Sequence, residues 1–179
     1  MFEFIQDNNF LNDEHKTFIN DIILDDDFAW YHQNYSIVKD DCDKFLTHIV
    51  VQRPEDNKGN SKINSIHYEK MIELLYAFTD KHNIKCNTLL RCGLNLTYNN
   101  GVEKCKVHRD HSFEHKQLLI CLNEPIDKEA YTVILDKDEK TELKRIAPKQ
   151  YQGIYYNNQP HYQFYPKSGH RVMAVFTFT

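Results

Sequence analysis

Val107-His108-Arg109-Asp110-His111 packs two histidines, an arginine and an aspartate into five residues. His108 and Asp110 stand two apart. On extended backbone, such side chains leave from the same face, about 6.6 Å apart along it, and can converge on one ion. That is half a metal site, and the other half has to arrive from elsewhere in the chain. His111 and His115 are close in sequence, so only His161 and His170 lie far enough away to come from another strand.

Two neutral imidazoles and one carboxylate on one face of an ion, with the opposite positions open, suit a non-haem Fe(II) oxygenase. Arg171 separates the two later histidines. A cosubstrate with a distal carboxylate is well held by a guanidinium fork, which offers it two parallel hydrogen bonds. Arg171 lies ten residues after His161, whereas the sequence ends at Thr179 before any residue stands ten after His170.

The ordered set His108-x-Asp110, His161 and Arg171 resembles the signature of Fe(II)- and 2-oxoglutarate-dependent dioxygenases. Further residues are similar to the prolyl 4-hydroxylase-like branch, of the small viral and microbial type. They are Tyr98-Asn99-Asn100-Gly101, the run Leu118 to Asn123, Pro160-His161, the terminal Arg171 to Phe178 and, more loosely, Phe28-Ala29-Trp30-Tyr31. The resemblance implies Fe(II) held by His108, Asp110 and His161, and 2-oxoglutarate held by Arg171 and Tyr98. It also implies O2 as co-reactant, ascorbate as a reductant, and a prolyl residue in a protein or peptide as substrate. Two departures stand against it. Lys128 to Thr132 replaces a glycine pair common after the Leu-Asn strand, and Cys121 stands where many relatives place a tyrosine touching 2-oxoglutarate.

Composition narrows the alternatives. A chain of 179 residues is one domain by length, and a domain of that size buries about 70% of its unfolded surface. A net charge of −4 provides no global field toward nucleic acid or an anionic membrane. Locally, Lys104, Lys106, Arg109, His115 and Lys116 flank the metal stretch, either as solvated loop charges or as a preference for acidic substrates. Five cysteines with no C-x-x-C pair suggest neither a zinc knuckle nor a disulfide framework. No signal-like start and no 18-residue apolar run is present, so a cytoplasmic, non-membrane protein is expected; oligomeric state is not legible.

Taken in order, the chain predicts a strand over 2–5 and a helix over 13–24 capped by Asn12, with Phe18, Ile19, Ile22 and Ile23 on one stripe. Strands follow near 28–31, 36–38 and 45–51. Arg53 to Lys62, almost free of apolar residues, reads as a loop, either a lid or a connector. A second amphipathic helix spans about 66–82, with Met71, Leu74, Leu75 and Phe78 on its core face. Beyond Asn83 the period becomes two: Leu90, Cys92, Leu94, Leu96 and Tyr98 alternate with Arg91, Asn95 and Thr97.

Strands are expected near 88–98, 104–109, 116–122, 131–136, 141–146, 151–156, 161–165 and 171–178. The fold class is mainly β with flanking helices, a double-stranded β-helix or jelly roll, with 1–86 supporting a core at 87–179. His111 and His115 have a helical spacing that can hold zinc, but they fall in a loop. His170 should face away from Arg171, and Trp30 and Tyr31 are either core or substrate groove. Within the same chemistry, the alternatives are an oxygenase acting on nucleic acid or a small molecule. From another class comes a cupin-like metal-binding module, which would have no need of Arg171.

Overall fold

The computed structural model describes residues 2–37 and 43–179. Its first half runs β1 (Phe4–Asp7), α1 (Asp13–Phe18), β2 (Tyr31–Gln33), β3 (Phe45–Gln52), β4 (Lys62–Ile63) and α2 (Tyr68–Lys81). The second half is strands: β5 (Leu89–Tyr98), β6 (Lys116–Cys121), β7 (Thr132–Leu135), β8 (Glu142–Ile146), β9 (Gly153–Asn157), β10 (His161–Gln163) and β11 (His170–Phe178). All pairings are antiparallel. A large sheet has the order β1-β9-β6-β11-β5-β3-β2, with β4 on β3, and a small sheet has the order β10-β7-β8. This is the expected mainly-β class with few helices.

The period of two decides what each face of the large sheet does. On β5, β6 and β11, Cys92, Leu94, Leu118, Ile120, Val172, Ala174, Phe176 and Phe178 all join one buried cluster with the helices. Into it α2 sends Met71, Leu74, Leu75 and Phe78, spaced i, i+3, i+4, i+7 and fully buried. Each such side chain contributes roughly 1.5–3 kcal/mol by leaving water. Helix and sheet approach so closely that a Cβ on Gly153 would lie 2.6 Å from the Phe78 ring. The opposite parity, including Leu119, Cys121, Met173 and Val175, turns toward the small sheet and packs with Ile134, Ile146 and Tyr156.

Several predicted elements shift. The helix over 13–24 starts at its Asn12 cap, where the side chain accepts from His15 N at 2.8 Å, but after Phe18 it widens into a π turn, Ile19–Ile23. The wider turn places both Ile19 and Ile23 in the core. The strand expected at 28–31 is displaced to β2, because Phe28 folds inward onto Trp30 and His48 instead of pairing. Ser36 and Ile37 are a bend, and Val38 of the same expected strand lies outside the described residues. The segment 104–109 is no continuous strand but carries two isolated bridges, Lys104 to Phe164 and His108 to His161. Among the described residues, no helix is long and apolar enough to cross a membrane.

Candidate metal centre

The second of those bridges builds the site. His108 N donates to His161 O at 3.0 Å and His161 N donates back to His108 O at 2.9 Å. Residues paired in this way project their side chains to the same side. The two imidazoles therefore lie side by side, with centroids 4.4 Å apart. His108 Nδ1 donates to Lys106 O at 3.0 Å and His161 Nδ1 to Gln159 O at 3.2 Å. A carbonyl can only accept, so its presence assigns the proton to Nδ1 and leaves the Nε2 lone pair for an ion.

Asp110 follows in a bend, and its donor atom, with those of His108 and His161, lies in a group whose members are all within 4.8 Å of one another. Its two oxygens have separate tasks. Oδ2 accepts from Gln117 Nε2 at 2.5 Å and lies 3.6 Å from His161 Nε2, whereas Oδ1 accepts from Arg91 at 2.5 Å. Arg53 adds a hydrogen bond to Asp110 O at 3.1 Å.

Burial alone would raise the Asp110 pKa, but the surrounding positive groups, Arg91 foremost, outweigh it and hold the carboxyl well below the usual range. Burial pushes His161 down to about 3, reinforced by His108 and opposed by Asp110. The trio thus presents a carboxylate and a neutral buried imidazole at ordinary pH, the protonation states that metal ligation requires. The donor set fits a ferrous ion.

Arg171, on β11, is one of the largest fully buried side chains. It donates to Ala130 O at 2.5 Å, to Thr132 Oγ1 at 3.5 Å and to Gln163 Oε1, while its Nε is buried without a partner. Burial lowers its pKa, and no carboxylate is among the groups opposing that shift. A buried cation with an unpaired donor costs several kcal/mol unless an anion arrives, so the residue fits the distal carboxylate of a keto acid. His108, Asp110, His161 and Arg171 all line one cavity of about 320 Å³ between the two sheets, walled by Leu119, Met173 and Val175.

Tyr98 is not among the residues lining that cavity. It pairs with His170 at the end of β5 and falls on the parity of Cys92, Leu94 and Leu96, the helix-facing set; its neighbour Thr97 pairs with Arg171. A shift of one position exchanges the faces of a strand, and here it sets Tyr98 on the opposite parity from Thr97 and Arg171. Gln163, whose side chain reaches Arg171, and Tyr165 line the cavity instead.

Cys121 does sit on the cavity-side parity, buried in the cluster with Met173; burial pushes its thiol up to about 12. Trp30 packs against the helix-side core and Tyr31 is 60% exposed, so neither enters the cavity. His111 and His115 belong to no group of three or more metal-donor side chains among the described residues. His111 bonds Glu55 at 2.6 Å and Thr177 at 2.7 Å, which fastens the 54–56 turn to β11. His170 is exposed: it shares the parity of Val172 and Ala174 but stands at the first position of β11. Four polar residues around Asp110 and Arg171, namely Arg53, Arg91, Gln117 and Gln163, escaped the sequence reading. Only Arg91 carried a signal, as a charge within an apolar strand.

No family model matches the sequence, and no curated protein matches it. Solved structures do. An oxidoreductase of the 2OG-Fe(II) oxygenase family from Burkholderia pseudomallei superposes with a TM-score of 0.75 at 13% identity, over 99% of this chain and 84% of that one. A prolyl hydroxylase from Trichoplax adhaerens, in complex with a hypoxia inducible factor peptide fragment, gives 0.68 at 13% identity over 98% and 82%. The non-haem α-ketoglutarate-dependent epimerase SnoN of nogalamycin biosynthesis gives 0.60 at 7% identity over 98% and 77%. Along almost its whole length, the chain has the double-stranded β-helix fold of 2-oxoglutarate- and Fe(II)-dependent oxygenases.

Proposed function

We propose that the chain is an Fe(II)- and 2-oxoglutarate-dependent dioxygenase whose substrate is a prolyl residue in a protein or peptide. The observation that carries this reading is the convergence, in one cavity, of His108, Asp110 and His161 with a buried Arg171 that has an unpaired donor. His108 and His161 would hold Fe(II) through Nε2 and Asp110 through a carboxylate oxygen, while Arg171 would hold the far carboxylate of 2-oxoglutarate. When bound, the pair supplies the oxidising power that places one atom of O2 in a C–H bond, as 2-oxoglutarate leaves as succinate and carbon dioxide. The residues do the rest. Gln117 and Arg91 fix the Asp110 carboxylate, the two backbone carbonyls fix the imidazoles, and Leu119, Met173 and Val175 keep water from the reacting centre.

The prolyl assignment is supported by the resemblance of Gly101, Leu122-Asn123 and Pro160-His161 to prolyl hydroxylases, and by a fold shared with a peptide-bound member of that group. The fold shared with the epimerase favours a second reading, an oxygenase of small molecules. Anaerobic titration with Fe(II) and then 2-oxoglutarate, followed by air, ascorbate and proline-containing peptides, separates them. Mass spectrometry should find one oxygen gained on proline, with matching succinate. Tight binding of both cofactors without any modified peptide would move the substrate to the second reading, and failure to bind Fe(II) would reject both.

A further inference from the structure

Charge is unevenly distributed around the cavity. Among the described residues, four arginines line it, Arg53, Arg91, Arg109 and Arg171, and one carboxylate, Asp110. Arg109 is answered from outside by Glu139 at 2.7 Å. Arg171 is assigned above to the cosubstrate. Arg53 and Arg91 are left to share Asp110: Arg91 lies 2.5 Å and Arg53 3.8 Å from the same Oδ1. Among the described residues, the other carboxylate near Arg53 is Asp56, at the rim of the neighbouring groove, 3.8 Å away and 60% exposed, a separation and exposure at which an ion pair is weak. A dication and a doubly charged keto acid cancel each other's charge, so loading the site leaves these two guanidiniums as uncompensated as before, and Asp110 must then also serve the metal.

Both arginines also line a second groove of about 370 Å³ that shares them with the cavity and runs along β3, past Phe45, Thr47, Ile49 and Tyr35. We propose that Arg53 and Arg91 form a carboxylate subsite beside the metal centre, and that the substrate is a peptide bearing an aspartate or glutamate close to the oxidised residue. The proposal rests on the oxygenase reading above. Arg91 touches Asp110 itself, and an extended residue spans about 3.3–3.6 Å, so the acid belongs within about two residues of the site of oxidation. A guanidinium pair matches the planar, two-pronged acceptor geometry of a carboxylate. Two cations at one point, on a chain of net charge −4, make no track for successive phosphates, which disfavours a nucleic acid.

Binding without turnover tests this. With the whole protein held under nitrogen with Fe(II) and 2-oxoglutarate, prolyl peptides that differ only by Glu or Gln beside the proline should differ in affinity by about ten-fold or more in favour of Glu. Arg53→Gln should abolish the difference, Arg53→Lys should keep part of it, and Arg53→Glu should transfer the preference to a Lys-bearing peptide, a reversal that a merely structural role cannot produce. Equal affinities for the Glu and Gln peptides in the unaltered protein would overturn the subsite, with no dependence on how any variant folds. So would a Glu preference that survives in Arg53→Gln, or Arg53-dependent binding of a methylated oligonucleotide where no acidic peptide binds. Admitting air then tests the other claim separately. Acid-dependent binding with no oxygen gained keeps the subsite and rejects prolyl hydroxylation, while equal oxidation of Glu and Gln peptides does the reverse.

Discussion

The two faces of β5, β6 and β11 are made by the same three strands and share every backbone hydrogen bond, yet they have opposite chemistry. One face sends Cys92, Leu94, Leu118, Ile120, Val172, Ala174, Phe176 and Phe178 onto the helices. The other lines the cavity with Arg91, Asn95, Gln117, Leu119, Arg171, Met173 and Val175. Buried polar groups of this kind cost stability unless each finds a partner. A sheet can bear them because its other face supplies apolar burial enough for both. The strands thus keep stability and chemistry apart by parity alone.

If that division holds, substitutions on one face should spare the property that the other supplies. The largest effect belongs to the ligands. His161→Ala and Asp110→Ala should each abolish Fe(II) binding and turnover, whereas exposed His170→Ala should leave Fe(II) affinity near normal, as read by anaerobic calorimetry. The opposite result for the two histidines would place the third ligand on the wrong residue.

On the helix side, Phe78→Ala should cost about 3–5 kcal/mol in denaturant unfolding, the usual price of emptying a buried aromatic site. Below the transition, the remaining folded fraction should still bind 2-oxoglutarate normally. Arg171→Ala should behave in the reverse manner. Cosubstrate affinity should fall by about 2–5 kcal/mol, roughly 30-fold to several-thousand-fold, with far less effect on Fe(II). Unchanged 2-oxoglutarate affinity in that variant would show that the cavity face does not hold the cosubstrate, and would overturn the proposed oxygenase function.

The smallest effect lies at the edge of the helix side, where Asp7 receives Lys81 at 2.7 Å and His82 at 2.8 Å. Burial pulls the Asp7 pKa upward, but Lys81, the Asn9 amide and His82 together bring it below the ordinary value. A carboxylate with a depressed folded pKa adds stability above its unfolded pKa and loses it as pH falls through the folded one. Asp7→Asn should therefore lower stability at neutral pH by about 0.2–1 kcal/mol, and thermal scans of the two proteins should converge as the pH drops through the acidic range.

Much of this was legible because it depends on spacing. His108-x-Asp110, His161 and Arg171 carry their geometry in their numbering, and Met71, Leu74, Leu75 and Phe78 announce a helix face by theirs. Tyr98 shows where a resemblance and a strand's parity part. Its apolar alternation with Leu94 and Leu96 already placed it on the helix-facing side, and that period is the stronger physical signal. The same alternation held Arg91 on the other parity, so the cavity arginine was there to be read. Arg53 could not be read. It lies in a turn whose path is set by contacts more than fifty residues away, Arg53 to Asp110 and Glu55 to His111, and nothing local encodes them. Those contacts also answer part of the question about 53–62: its first residues are fastened to the metal segment and are poorly suited to move as a lid. The expected strand at 104–109 failed for a related reason, since only Lys104 and His108 form bridges there and no continuous ladder develops between them.

The pairing of His108 with His161 reaches beyond geometry. Two main-chain hydrogen bonds bring both imidazoles together, and main-chain pairing is made by folding, so most of the ordering entropy of two ligands would be lost during folding and little on loading. His108 otherwise stands in a segment with almost no ladder of its own, which makes its amide a gauge of how well the site is assembled. Slow hydrogen exchange at His108 and His161 in the metal-free protein would mean a centre that captures its ion as fast as the ion can enter; rapid exchange at His108 alone would mean one that must first close a loop.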